Sequence, residues 1–290
     1  MKKQATQEAN RWLDMLSRVK AASAELEASA THYFEPWYRG SPHGSYSLQP
    51  SLFRGYPTPK KKHDKTWSHI WHQEQDLYWE FATRARQLHG HVDDDWDILF
   101  TMRHYGVPTR VLDWTETLGV AIYMALHDFG SGMPTPKVPS AKDPPCIWVL
   151  NPYELNWRST GGTVSDIFDP KNLGWDVDEQ TYYGYSELLL EGGMDWDGPR
   201  AVYPRQRSDR MQAQRGWFTV HGDDFTPIDQ RKSHRQYLRK VEIPKSAASS
   251  AFEFLKTAGL ELFVLFPDLP SLAEHLRRQH ASERQAFLES

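Results

Sequence analysis

The chain has 290 residues, of which 39% are hydrophobic and 13% aromatic, so a packed core is expected and wholesale disorder is excluded. Its net charge of −4 excludes a uniformly basic nucleic-acid-binding protein, although a local basic patch stays open. No apolar run is long enough for a membrane-spanning helix, and the N-terminus lacks the apolar core of a secretory signal. The single cysteine, Cys146, excludes a disulfide framework and a multi-cysteine metal site, and favours a cytoplasmic location.

Helical periodicity dominates the first half of the chain. The spacing of Trp12, Leu16 and Val19 predicts a helix over residues 3–28, so we divide the chain into an N-terminal helix (1–30) and one domain (31–290). An aromatic strand is expected over 33–40, followed by a loop over 41–59. Further helices are predicted over 67–88, from the acidic turn 93–97 onward, and over 117–127, which is nearly apolar and therefore buried.

The second half mixes strands and helices. We expect an exposed connector over 130–145, a central strand over 146–150 that buries Cys146 as an inert thiol, and irregular structure over 156–200. Strands are predicted over 201–204, 216–221, 237–243 and 260–266, and helices over 246–258 and 269–278, with Gly259 at the residue after a helix. Because no βαβ rhythm occurs, the pattern predicts an α+β fold with a mixed central sheet flanked by helices.

The first segment that could take part in chemistry is Tyr38-Arg39-Gly40, at the end of a predicted strand. An arginine beside a glycine can approach a phosphate closely and hold it through two hydrogen bonds. The alternative is that Arg39 pairs with a structural carboxylate. Arg54 follows in Leu48–Gly55 and is a second candidate for phosphate binding.

The second segment, Arg103–Thr115, concentrates polar side chains just before the buried helix. Thr115 is expected to cap that helix, and a helix N-terminus with Thr and Arg nearby can bind an anion. Asp113 would repel the anion unless Arg110 or Arg39 neutralises it. Asp113 therefore either pairs with one of those arginines or binds a substrate hydroxyl.

A third segment contains five arginines between Arg200 and Arg215 and is either a solvated loop or a nucleic-acid surface with interleaved aromatic residues. Gln214, just before a predicted strand, could hydrogen-bond an amide or a ribose. The sequence contains no glycine-rich phosphate loop and no Gly-x-Ser-x-Gly motif, and its histidines show no metal-ligand spacing.

Together these segments resemble the FRG domain family. The resemblance rests on Tyr38-Arg39-Gly40, on the run His-Tyr-Gly-x-Pro-Thr-Arg-x-Leu-Asp-Trp-Thr over 104–115, on Arg210, Gln214, Gly216 and Phe218, and on Phe-Pro-Asp-Leu over 266–269. Arg103 stands where the family usually has Gln, and Leu118-Gly119 stands where it usually has Pro-Leu. The family occurs in bacteria and phages, often near defence genes.

The order of the motifs is also similar to that of ADP-ribosyltransferases. This similarity implies an ADP-ribosyltransferase-like core in which Arg39 holds the NAD pyrophosphate, Thr115 and Trp114 contact the nicotinamide ribose and ring, and Gln214 takes the late position where Glu is usual. Asp113 would then have to stabilise the developing cation. The full set of residues implied to bind the cofactor is Arg39, Gly40, Arg54, Tyr105, Thr109, Arg110, Trp114, Thr115, Arg210 and Phe218.

The leading hypothesis is an NAD-cleaving enzyme that passes ADP-ribose to water or to a macromolecular acceptor, a protein or a nucleic acid, without involving a membrane. Its catalytic candidates are Asp113, His104 and Gln214. One alternative is phosphodiester cleavage with His104 as general base. The other is a non-catalytic module that binds a nucleotide or nucleic acid.

Overall fold

A computed structural model describes residues 2–89, 94–129, 139–176, 181–194, 196–204 and 208–288. Within these ranges the helices are α1 (Lys2–Ser29), α2 (Lys65–His89), α3 (Asp95–His104), α4 (Leu118–Leu126), α5 (Pro152–Ser159), α6 (Tyr185–Leu190), α7 (Asp209–Gln214), α8 (Ala248–Thr257), α9 (Leu262–Leu265) and α10 (Leu269–Leu288). The strands are β1 (Trp37–Ser41), β2 (Val111–Thr115), β3 (Cys146–Leu150), β4 (Trp175–Asp176), β5 (Thr181–Tyr182), β6 (Arg200–Val202), β7 (Gly216–Val220) and β8 (Leu238–Glu242). None of the described helices is both long and apolar enough to cross a membrane.

Six strands form one sheet in the order β6-β7-β2-β1-β3-β8, while β4 and β5 form a separate hairpin. Helices and sheet are combined as the sequence predicted. The sheet itself is a correction, because every pair of neighbouring strands in it is antiparallel, whereas a mixed sheet was expected. Neighbouring strands therefore run in opposite directions, and the periodicity of the sequence does not reveal the direction of a strand.

Helices cover one face of the sheet in two groups. The helices α1, α4 and α8 bury apolar side chains of β1, β3 and β8, among them Ile147, Val149 and Val241. The helices α2, α3 and α6 do the same for β2, β6 and β7, where Val111 and Val220 are buried. The opposite face packs Trp114, Trp148 and other side chains against α5 and neighbouring loops. Two groups of helices therefore lie side by side on one face of the sheet.

Gly40 lets α4 cross directly over β1. A Cβ atom at this position would lie 1.9 Å from the main-chain oxygen of Ala121 and 2.5 Å from the nitrogen of Ala125. These distances are shorter than any contact between non-bonded atoms. The packing of α4 therefore accounts for Gly40 without the phosphate contact that the motif suggested.

Most predicted elements occur, with two exceptions in the second half. The run 260–266, predicted as a strand, contains the helical turn α9, in which the amide of Phe266 donates to the carbonyl of Leu262 at 2.8 Å. The prediction was wrong because a short apolar run has no period that distinguishes a strand from a helix. Residues 156–200 are more regular than expected: they hold the second half of α5, together with α6 and the paired strands β4 and β5. The start of α5 is capped by Asn151, whose Oδ1 accepts from the amides of Tyr153 and Glu154.

Several predictions are confirmed at single residues. Gly259 has φ +67° directly after α8, and Leu260 donates to the carbonyl of Leu255 at 2.9 Å, as a glycine-terminated helix requires. Cys146 is fully buried in β3, which pairs with a strand on each side. The predicted residues Asp93, Arg205 and Arg207, and 130–138 of the connector, lie outside the described residues.

Candidate anion-binding site

The central strands β1 and β2 part almost as soon as they meet. They share one paired position, Tyr38 opposite Thr115, whereas each of them pairs with its other neighbour over five positions. Beyond the shared pair, Nη1 of Arg39 donates to the main-chain carbonyl of Asp113 at 2.6 Å. A side chain therefore takes the place of the missing ladder bond, and the two strands open a gap at Arg39 and Asp113.

The carboxylate of Asp113 is held through one of its two oxygens, Oδ2. Both Nε of Arg103, at 2.9 Å, and its Nη2 donate to Oδ2, and Nη1 of Arg39 lies 3.8 Å from the same atom. Within the part of the chain that the structure describes, Oδ1 accepts no hydrogen bond, and 42% of the side chain is exposed. Burial opposes ionisation, but the charges of Arg103, Arg39 and Arg210 lower the pKa of Asp113, so the carboxylate is an anion with one oxygen open to a ligand.

Two further arginines approach this carboxylate. Arg54 donates from Nε to the carbonyl of Gln49 at 3.0 Å, and Arg210 donates from Nη1 to the carbonyl of His104 at 2.8 Å. Burial lowers the pKa of both, and the charge of Arg103 lowers each further while that of Asp113 opposes the shift. We call Arg39, Arg54, Arg103 and Arg210 the arginine cluster.

The arginine cluster has an excess of positive charge. Four guanidinium groups interact with the charge of Asp113, while Asp268 is a second carboxylate that acts on Arg210, and all four arginines remain protonated at neutral pH. Burial and the charges of Arg103 and Arg54 lower the pKa of Arg39 to about 10, although Asp113 acts in the opposite direction. An anion bound here would relieve the repulsion between the arginines, and guanidinium groups match phosphate oxygens in geometry.

His104 and Tyr105 lie beside the cluster at the end of α3. The two rings are 4.8 Å apart, and 57% of Tyr105 is exposed. Gly106 follows with φ +78°, and the amide of Val107 donates to the carbonyl of Met102 at 3.0 Å, which closes the helix. The end of α3 and the turn at Gly106 therefore place His104 and Tyr105 beside Arg103.

Arg110, which is expected to bind a cofactor, lies in the core and is not part of the arginine cluster. It is 1% exposed and forms an ion pair with Glu74 through Nε, at 2.7 Å, and Nη2. Its Nη1 donates to the carbonyls of His221 and Gly222 at 2.8 and 3.1 Å. All of its donors are engaged in the core, so Arg110 is a structural residue.

Three other expected ligand contacts are also buried in the core. Trp114 is 2% exposed and donates from Nε1 to Oγ1 of Thr219 at 3.1 Å. Phe218 is 4% exposed and stacks on Phe100 with ring centroids 4.7 Å apart. Thr109 is 1% exposed, and its amide donates to Oγ of Ser51. The alternation of side chains along β2 and β7 explains where two of them lie, because Trp114 and Phe218 face opposite, covered sides of the sheet.

Gln214 and Thr115 stabilise a junction instead of presenting side chains to a ligand. Nε2 of Gln214 donates to the carbonyl of Leu265 at 2.9 Å, and the hydroxyl of Thr115 donates to the carbonyl of Gln214 at 2.7 Å. Thr115 is the last residue of β2, and the N-cap of α4 is Thr117, whose amide donates to Oγ1 of Thr115 at 3.0 Å. The predicted cap is therefore corrected by two residues.

Sequence reasoning missed two charged residues that the structure makes important. Arg103 was noted only as a departure from a family motif, yet it holds Asp113. Glu74 lies on the buried face of α2 between Ile70 and Tyr78, four residues from each. A carboxylate at the centre of an apolar helix face signals a buried ionic partner, and this signal was available in the sequence.

Three arginines of the cluster and Asp113 lie in one stretch of the chain, residues 39–113. Residues 35–131 match the FRG domain. The matched FRG domain segment contains Arg39, Arg54, Arg103 and Asp113, whereas Arg210 lies beyond it. No curated protein and no solved structure matches the chain.

Proposed function

We propose that the arginine cluster binds the phosphates of a nucleotide and that this nucleotide is NAD. The observation that supports the proposal is the excess of positive charge around Asp113 at the parting of β1 and β2. The pyrophosphate of NAD offers two negative charges to it. The similarity of the motif order to ADP-ribosyltransferases implies NAD as the ligand, and the proposal includes an ADP-ribosyltransferase-like core.

The proposed reaction breaks the bond between the nicotinamide nitrogen and C1′ of the ribose. The bonding electron pair leaves with nicotinamide, and the sugar, now positively charged at C1′, is captured by a nucleophile of water or of a macromolecular acceptor, which releases a proton. The ionised carboxylate of Asp113 would stabilise that positive charge, with Oδ1 available for a ribose hydroxyl. Arg103 acts as a positioning residue because it fixes the carboxylate through Oδ2.

The proposal treats residues 31–290 as one functional domain. Arg210 lies outside the segment that matches the FRG domain, yet it donates to the carbonyl of His104 inside that segment. The FRG resemblance further suggests a bacterial effector of phage defence that acts in the cytoplasm on a protein or nucleic acid.

The test is nicotinamide release from NAD by the full chain. We expect Asp113→Asn to reduce the rate by about 100-fold or more, because it removes the charge that stabilises the transition state. Asp128→Asn is the matched control, since the Asp128 side chain is half-exposed and pairs with His127 instead of an arginine of the cluster. Arg39→Met and Arg54→Met should weaken NAD binding. Equal rates for the Asp113 and Asp128 variants would overturn the proposed catalytic role.

One observation favours a second function, a phosphate-binding module without turnover. The residue at the late position is an amide, Gln214, and it is turned toward Leu265. If the chain binds NAD with an affinity that depends on Arg39 and Arg54 but releases no nicotinamide in the presence of a cell lysate, this second function is the correct one.

A further inference from the structure

An apolar groove of about 500 Å³ lies beside the arginine cluster, between α2 and the turn that follows α3. Its lining consists of Leu77, Glu80, Phe81, Arg84, Ala85, Tyr105 and Val107. The two charged members pair with each other at 2.9 Å and are largely exposed, so they form a solvated rim. A groove of this size with mostly apolar walls is typical of small-molecule sites.

The groove and the arginine cluster meet at three consecutive residues. Arg103 holds Asp113, the carbonyl of His104 accepts from Arg210 at 2.8 Å, and Tyr105 forms a wall of the groove. A ligand with phosphates at Arg103 and Arg210 would therefore continue into the groove past the exposed ring of Tyr105. The groove lacks a cationic interior of its own, so its occupant would be the uncharged part of such a ligand.

We infer that this groove binds the adenine base of the nucleotide whose phosphates lie at the arginine cluster, with the base stacked against Tyr105. The inference rests on the proposed function and assigns one end of the ligand. Phe81, Leu77 and Val107 supply apolar contacts for a planar heterocycle, and base stacking on an aromatic ring is favourable whatever the base edge offers.

The position of Asp113 decides which end of NAD would occupy the groove. The reaction proposed above takes place at the nicotinamide ribose, which has to reach Oδ1 of Asp113. Asp113 is not among the residues that line the groove, which is reached at Tyr105, two residues beyond Arg103, the residue that holds the carboxylate. The nicotinamide ring of NAD also carries a positive charge, whereas adenine is uncharged and suits the apolar interior walls. The adenine end therefore fits the groove.

The experiment compares ADP with inorganic pyrophosphate by calorimetric titration of the full chain. We expect ADP to bind roughly 5- to 100-fold more tightly, which is the range for one base stacked on an aromatic side chain. Tyr105→Ala should remove most of this difference and leave pyrophosphate affinity unchanged, whereas Tyr105→Phe should retain it. Ala85→Trp, which fills the groove, should act like Tyr105→Ala.

Trp79→Ala is the matched control, because Trp79 is an exposed aromatic residue on the same helix but is not part of the groove lining. It should leave both affinities unchanged. If ADP and pyrophosphate bind the wild-type chain equally, or if Tyr105→Ala weakens both alike, the base site is overturned while the phosphate site stands. If neither compound binds, the phosphate site and the base site both fail.

Discussion

Nη1 of Arg39 donates to the main-chain oxygen of Asp113, 2.6 Å away, at the place where β1 and β2 have lost their ladder. The bond connects the first arginine of the cluster to the backbone of the residue that carries the carboxylate. Folding of the sheet centre and assembly of the candidate site therefore depend on the same contact. Ligand binding at the cluster should consequently appear in the stability of the whole chain.

Pyrophosphate should raise the thermal unfolding midpoint. A ligand at 100 times its dissociation constant adds about 2.7 kcal/mol to the free energy of unfolding when it binds only the folded state. The rise should be smaller for Arg39→Met and Arg54→Met. Arg277→Met, which changes an exposed arginine on α10, should show the same rise in unfolding midpoint as the wild type. Equal rises for all three variants, or the same rise with sodium chloride at matched ionic strength, would exclude a specific phosphate site.

Gly40→Ala should destabilise the fold severely. The added methyl group overlaps the main-chain oxygen of Ala121, so α4 has to move away from β1, and we expect a loss of roughly 3 kcal/mol or more. Gly216→Ala is the control, because the atom nearest to a new Cβ would be the main-chain oxygen of Met211, at an ordinary 3.7 Å. Urea denaturation of both variants measures the difference, and similar midpoints would contradict the close approach.

Glu74→Gln should cost about 3 kcal/mol of unfolding free energy, because it removes the nearer counter-charge of the buried Arg110 guanidinium and leaves Asp223, whose Oδ1 lies 3.9 Å from Nη1. Glu80→Gln makes the same change on the same helix at an exposed ion pair with Arg84, where about 0.5 kcal/mol or less is expected. Chemical denaturation with circular dichroism checks both. A small effect of Glu74→Gln would show that other groups balance the buried positive charge of Arg110.

His221 should make the chain less stable in mild acid. It is fully buried with no hydrogen-bond partner for either ring nitrogen among the described residues, and burial, with the charges of Arg231 and Arg110, keeps its pKa well below 6.5. Below pH 6.5 the unfolded chain binds a proton that the folded chain excludes, so the free energy of unfolding falls as the pH falls.

Between pH 7.5 and 5.5 this contribution is about 1.4 kcal/mol, since each full pH unit below 6.5 is worth that amount. His221→Gln should reduce the loss of unfolding free energy between pH 7.5 and 5.5, measured by urea denaturation, by that amount. His72→Gln, at an exposed position on α2, should keep the wild-type dependence. An unchanged slope in the His221 variant would mean that the ring is protonated in the folded state.

Cys146 should resist thiol reagents until the chain unfolds. The thiol is fully buried in β3, and burial raises its pKa to about 12, so almost no thiolate forms at pH 8. A disulfide reagent should react with one thiol per chain in urea and with far less in native buffer over the same period. Rapid native labelling would show that β3 opens easily.

Local signals in the sequence determined most of the elements. Apolar spacing of three and four residues located α1, α2 and α4, and the buried run 146–150 located β3. Such patterns act within one helix or strand, so the chain shows them before it folds. The capping glycine Gly259 and the turn glycine Gly106 were readable for the same reason, since each is required by the φ of its own residue.

The site was decided by tertiary structure. Arg39, Arg103 and Arg110 are alike in sequence, but the first two reach Asp113 and the third reaches Glu74, 36 positions away. Strand order and the early parting of β1 and β2 determine which carboxylate each arginine meets. The sequence by itself determined most of the elements and the match of residues 35–131 to the FRG domain. Only the packing of distant segments decided which charged residues are buried partners and which face a ligand, because charge pairing depends on distance in space.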